Sequence, residues 1–322
     1  MMTRRGLLAA ASLLPPVAAQ AQQGESWPSR PIRIVLPYTT GGSADALARA
    51  LAEHLREQLG QPVIVDSRPG GGSMIGAEVV ARAPRDGYTI LYAGWPTVTM
   101  NVVMHRSPAY RTEDFRPLTP FFRTPLSVGV GRDSPLRNFR ELVDLAKQRG
   151  GLAYGTSGVG ASSHMLMERI KASTGAPFEH VPYRGEAPAA TDVIAGHLPI
   201  YVGSAATVLQ HHRAGTMRII GHTNPERLPI LPDVATLAEL GFGDVGTFTY
   251  WHGALLPAGT PEPIVQRLHA AFVSGIASPA VRARMAEDLV PFTLSPEAFA
   301  ELIRQEIATW TPIIRANNLV ME

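Results

Sequence analysis

Pro37-Tyr38-Thr39-Thr40-Gly41-Gly42-Ser43-Ala44-Asp45 and Tyr154-Gly155-Thr156-Ser157-Gly158-Val159-Gly160-Ala161-Ser162-Ser163-His164 decide how this chain is read. Each is a Gly/Ser-rich loop that leaves an apolar strand pattern and enters an amphipathic helix pattern. More than a hundred residues separate the two, which assigns them to different domains. The first turn of a helix has N–H groups without intrahelical partners and carries a partial positive charge. Glycine lets a ligand approach the backbone, and hydroxyls add donors. Two such loops facing each other make a clamp for a carboxylate or phosphate. Thr39, Gly42 and Ser43 would act from one side; Thr156, Ser157, Gly160 and Ser162 from the other. The same residues also read as ordinary strand-to-helix turns with serine caps.

Outward from the loops, strands and helices alternate along most of the chain. Strand patterns fall at 32–36, 63–65, 89–93, 126–130, 152–154, 179–181, 199–202, 217–221 and 251–256. Helix patterns intervene, the first over 44–59 with Leu47, Ala48, Leu51 and Leu55 on one face and Gly60 as a C-cap. Three helices, over 264–276, 280–289 and 296–314, close the chain. This order predicts an α/β fold with parallel sheets and ligand loops at the strand C-termini. The terminal helices are expected to pack back on the first domain. Residues 24–124 and 247–322 would then form one domain, and 125–246 the other.

The first residues address the chain to a compartment. Thr3-Arg4-Arg5-Gly6-Leu7-Leu8 is a twin-arginine start, an apolar run follows, and Ala19-Gln20-Ala21 supplies a cleavage-type ending. Residues 1–21 therefore read as a signal peptide, by the twin-arginine or the general secretory route, and the mature protein is expected in the periplasm. Arg4 and Arg5 account for the formal net charge of +2, which leaves the remainder neutral and gives no sign of nucleic-acid binding. With no cysteine there is no disulfide, thiolate nucleophile or Cys-ligated metal.

Enzyme signatures fail on inspection. No P-loop, dinucleotide fingerprint, G-x-S-x-G or H-E-x-x-H occurs, so no cofactor is expected. The adjacent His211 and His212 point to different helix faces and make a poor metal pair. Ser162 or Ser163 with His164 could be drawn as a hydrolase, yet nothing specifies an oriented base or an oxyanion hole. Trp95 and Thr97 follow a strand, at a position suited to a ligand loop, with packing of Trp95 against loop backbone as the competing reading. Tyr183 and Arg184 lie just past another strand, as a pocket wall and a carboxylate partner or as surface residues. Asp45 either caps its own loop or accepts from a ligand hydroxyl or ammonium.

Several landmarks in order carry a family resemblance: Trp27-Pro28, the first Gly/Ser loop, Gly60-Gln61-Pro62-Val63, Arg68-Pro69-Gly70-Gly71-Gly72, Asp86-Gly87-Tyr88-Thr89, His180-Val181-Pro182-Tyr183-Arg184-Gly185 and Pro257-Ala258-Gly259-Thr260-Pro261. Over nearly all of the mature chain the sequence resembles the receptors of tripartite tricarboxylate transporters, the Bordetella uptake gene (Bug) family. The resemblance implies a type II periplasmic binding-protein fold, with two α/β domains and a ligand cleft between them. It implies a monomeric, non-enzymatic receptor that holds a small organic acid between the two loops and delivers it to membrane permease subunits. A sensor that passes its signal to a membrane protein would have the same fold. Ligand contacts are expected from Tyr38, Trp95, Thr97, Tyr183 and the other loop residues named above. They are expected too from Gly203 and Ser204, which stand where the family often has Asp-Asn. That departure removes a carboxylate and predicts room for a bulkier ligand. Ser67 replaces the family's usual Asn before Arg-Pro-Gly.

Overall fold

The computed structural model describes residues 27–246, 249–287, 289–316 and 319, so the leader at 1–21 lies outside the described residues. Among the described residues ten strands form the sheet: β1 (Ile32–Leu36), β2 (Val63–Ser67), β3 (Thr89–Gly94), β4 (Phe115–Gly131), β5 (Leu152–Thr156), β6 (Phe178–Pro182), β7 (Ile200–Ser204), β8 (Met217–His222), β9 (Thr249–Pro257) and β10 (Val290–Pro291). Their order is β2-β1-β3-β9-β4-β7-β5-β6, with β8 and β10 also paired to β4. The β1–β2, β1–β3, β5–β6 and β5–β7 pairs are parallel, as strand–helix alternation requires. Every pair that involves β4 or β9 is antiparallel.

Strand β4 joins the two halves of the sheet. Phe115 to Pro125 pair with β9, whereas Leu126 to Gly131 pair with β7 and β8. The sequence pattern suggests only residues 126–130 of this 17-residue strand. Pro117, Pro120 and Pro125 hide the rest, because proline cannot donate to a ladder. The register against β9 shifts between Pro117 and Thr119 and again between Pro120 and Phe122, so the irregularities fall beside the prolines.

The helices bury the faces their periodicity announces. The helix Ser43–Leu59 turns Leu47, Ala48, Leu51, Leu55 and Leu59 inward and ends on left-handed Gly60. The helix Glu262–Ala277 lies against it and stacks Phe272 on Phe121, with centroids 5.3 Å apart. The C-terminal helix Pro296–Ala316 packs on β4 and seats Phe299 edge-on against Trp251 at 4.8 Å. Expectation and structure part in three places. Residues 280–289 are not one helix: only Pro279–Arg282 is helical, and turns follow. The Gly70–Gly72 bend opens into an unforeseen helix, Met74–Ala81. Trp95 and Thr97 lie in a short helix, Trp95–Val98, rather than in a loop. No described helix is long and apolar enough to cross a membrane.

Candidate functional site

Strands β4 and β9 lay the floor of a cavity of about 450 Å³. Alternate residues of a strand share a face, which brings Phe122, Thr124 and Leu126 to the cavity together with Tyr250 and His252. Phe122 stands opposite His252 in the ladder, and Thr124 opposite Tyr250. Phe122 and His252 stack at 4.8 Å.

The walls come from the C-terminal ends of parallel strands and the helices that follow. Ser43 and Ala44 enter after β1, and Trp95 and Pro96 after β3. From the other half come Ser157, Gly160, Ala161 and Ser162 after β5, Glu186 after β6, and Ser204 and Ala206 at the end of β7. Open α/β sheets place their ligands at such strand ends. A second cavity of about 520 Å³, lined by Arg132, Arg149 and Leu136 among others, takes up none of the predicted site residues.

The helices that start at Ser43 and Ser162 have Gly42 and Ala161 as N-caps, and neither receives a side-chain cap. Their first N–H groups are thus left to another acceptor beside the cavity. The helix Ala205–Arg213 differs, since Ser204 accepts from Thr207 N–H. Among the described residues no arginine or lysine lines the cavity, and Glu186 is the one carboxylate that does. Burial pushes the His252 imidazole down to about 3, so it enters the site neutral.

Of the predicted residues, Ser43, Trp95, Ser157, Gly160, Ser162 and Ser204 line the cavity, and eight others are set back. Tyr38 lies beneath it, stacked on His252 at 5.6 Å, with burial raising its phenol above the ordinary range. Thr39 and Gly42 are exposed outside it. Asp45 serves its own loop: Oδ2 accepts from Gly41 N–H at 2.9 Å, and Arg49 Nε lies 3.0 Å from Oδ1. The Arg49 hydrogen bond, then that of Gly41, holds this carboxyl below its usual range. Thr97 is fully buried, with its hydroxyl 2.7 Å from that of Ser73. Thr156 is fully buried behind its loop, bonded to His180 Nε2 at 2.6 Å. Tyr183 donates to Asp192 at 2.6 Å, which pushes its phenol up to about 12. Gly203 opens no space for a larger ligand, because a Cβ there would stand 2.2 Å from the Tyr201 hydroxyl and 3.0 Å from Glu186 Cδ.

A histidine pair secures the second loop from behind. His164 and His180 stack with centroids 3.9 Å apart. Nδ1 of His164 accepts from Gly160 N–H at 3.1 Å, and its Nε2 lies 3.7 Å from Glu168 Oε1. Burial lowers both imidazoles, that of His180 to about 4. Both His164 nitrogens are thus engaged away from Ser162 and Ser163, which removes the base a serine nucleophile needs. Sequence reasoning missed Phe122, Thr124, Glu186, Tyr250 and His252. The 250/252 and 122/124/126 alternations were legible, but the prolines of β4 concealed which strands they lie on.

A family model described as the tripartite tricarboxylate transporter family receptor matches residues 47–319. The chain belongs to that family. A UPF0065 protein of Pseudomonas sp. is 34% identical over 97% of this chain and 93% of its own. BugT of Bordetella pertussis is 31% identical over 96% and 94%. Among solved structures, a TctC solute-binding protein from Polaromonas superposes with a TM-score of 0.82 at 28% identity, over 90% of this chain and all of its own. The adipate-bound protein of R. palustris reaches 0.70 at 31% identity, over 90% and 97%. This receptor therefore has the periplasmic binding-protein fold and is a solute-binding protein, not an enzyme.

Proposed function

We propose that this receptor captures a small organic carboxylate in the periplasm and delivers it to the membrane permease subunits of a tripartite tricarboxylate-type transporter. One observation carries the reading: two side-chain-uncapped helix N-termini, at Ser43 and Ser162, border one cavity from opposite halves of the sheet. Their N–H groups and the hydroxyls of Ser43, Ser157, Ser162 and Thr124 supply donors suited to a carboxylate. Water bridges extend their reach. Neutral His252 and the aromatic floor shape the remainder of the ligand. Family relatives of known structure support the class, one bound to adipate and another to malate. In this reading residues 24–124 with 247–322 close on 125–246 about the crossing in β4, the protein acts as a monomer, and residues 1–21 are removed on export. Mass spectrometry of small molecules released from purified, denatured protein should find an organic acid, which calorimetry then shows to rebind. Protein that releases no acid and binds no carboxylate in titration would sink the reading.

A further inference from the structure

The carboxylate reading leaves Glu186 without a role. Glu186 opens the helix Glu186–Ile194, is half-buried, and lines the cavity. Its position is set by three donors: Ser204 N–H at 3.1 Å to Oε1, and the hydroxyls of Tyr201 at 3.1 Å and Thr207 at 2.5 Å to Oε2. The close approach of Tyr201 and Glu186 over residue 203 is possible because that residue is glycine. Such a group accepts hydrogen bonds in place and does not swing out to water. Among the described residues no ion pair involves Glu186, and no cationic side chain lines the cavity. A fixed carboxylate therefore shares an aromatic-floored cavity with the anionic end of the ligand.

We infer that Glu186 selects a carboxylate whose far end is a cationic ammonium group, and that it rejects dicarboxylates of the same length. This inference rests on the carboxylate reading above. Two anionic groups in one partly desolvated cleft repel each other strongly, while an ammonium at the second position restores neutrality and donates to the Glu186 oxygens. The cavity, at about 450 Å³, holds a ligand of this size comfortably.

Calorimetry with 6-aminohexanoate, adipate and hexanoate, matched in chain length, tests the inference on wild type and on Glu186→Gln. Wild type should bind 6-aminohexanoate about tenfold or more tighter than either of the others. The nearly isosteric amide should bring the three within about threefold by weakening the amino acid and admitting adipate. Adipate binding as tightly as 6-aminohexanoate to wild type overturns the role of Glu186, as does an unchanged preference in a folded Glu186→Gln protein. Should that variant fail to fold by circular dichroism, the wild-type ranking alone decides. Binding of hexanoate with no gain from the amine defeats this inference and leaves the carboxylate reading standing. Binding of none of the three defeats this inference, and the carboxylate reading falls with it only if the protein also releases no organic acid on denaturation.

Discussion

At the scale of the residue, one buried carboxyl beside the cavity, that of Glu306, is held well away from its ordinary state. Its Oε2 accepts from the indole N–H of Trp95, whose ring lines the cavity, and from that of Trp310 at 3.2 Å. Arg169 lies over the Trp310 ring at 5.7 Å, so this carboxyl sits where a helix of one half of the sheet meets the C-terminal helix. Burial pushes the Glu306 carboxyl up to about 7, although the two indoles and Arg169 pull the other way. A carboxyl whose folded-state value exceeds its unfolded value keeps its proton in the native state after the unfolded chain has released it. The Glu306 contribution to stability therefore falls as pH rises from about 4.5 to about 7, then levels, against the gain that the buried neutral His164, His180 and His252 give over part of the same range. Glu306→Gln should abolish that part of the fall. Urea midpoints at pH 5 and pH 8 provide the check; equal slopes in wild type and variant would show that Glu306 is not perturbed.

At the scale of the element, the two Gly/Ser loops differ more than their sequences suggest. Gly42 has open space where a Cβ would stand and an ordinary negative φ of −85°. Gly160 has φ +75°, and a Cβ there would lie 2.8 Å from Met104 Cε, a residue of the opposite half of the sheet. A β-branched residue suits Gly160 badly, since left-handed backbone alone costs an L-residue about 1–2 kcal/mol. Gly160→Val should lower the thermal midpoint by several degrees, and Gly42→Val should leave it within a degree or two of wild type. Differential scanning calorimetry separates the two. A greater loss at Gly42 would mean that the first loop, not the second, is the strained one.

At the scale of the whole molecule, the cavity floor and the connection between the halves are the same pair of strands. Phe122, Thr124 and Leu126 line the cavity where β4 changes partners from β9 to β7 and β8. A ligand that draws donors from both walls favours the arrangement in which those walls are close. Small-angle scattering should show a smaller radius of gyration when a bound carboxylate is added to ligand-stripped protein. An unchanged radius with confirmed binding would argue for a cleft already closed without ligand.

Local physics alone made much of this protein legible. The alternation of strand and helix specified the α/β class, because each periodicity commits a segment to one face of burial, and glycine at the C-caps marked where helices stop. Ser43, Trp95, Ser157, Gly160 and Ser162 could be named because a ligand site at strand ends follows from that class, whereas Ser204 follows only from the family resemblance. Tertiary structure decided the rest. The length of β4 depends on β9 and β7 accepting a proline-broken strand, which no local preference encodes. Phe122, Thr124, Tyr250 and His252 reach the site only through that pairing. The fates of Asp45, Thr156 and Glu186 were likewise settled by partners. Asp45 turns to Gly41 and Arg49, and Thr156 to His180, while Glu186 is carried to the cavity by Ser204, Tyr201 and Thr207. A polar side chain goes where its hydrogen bonds are satisfied, and most of those partners are distant in sequence.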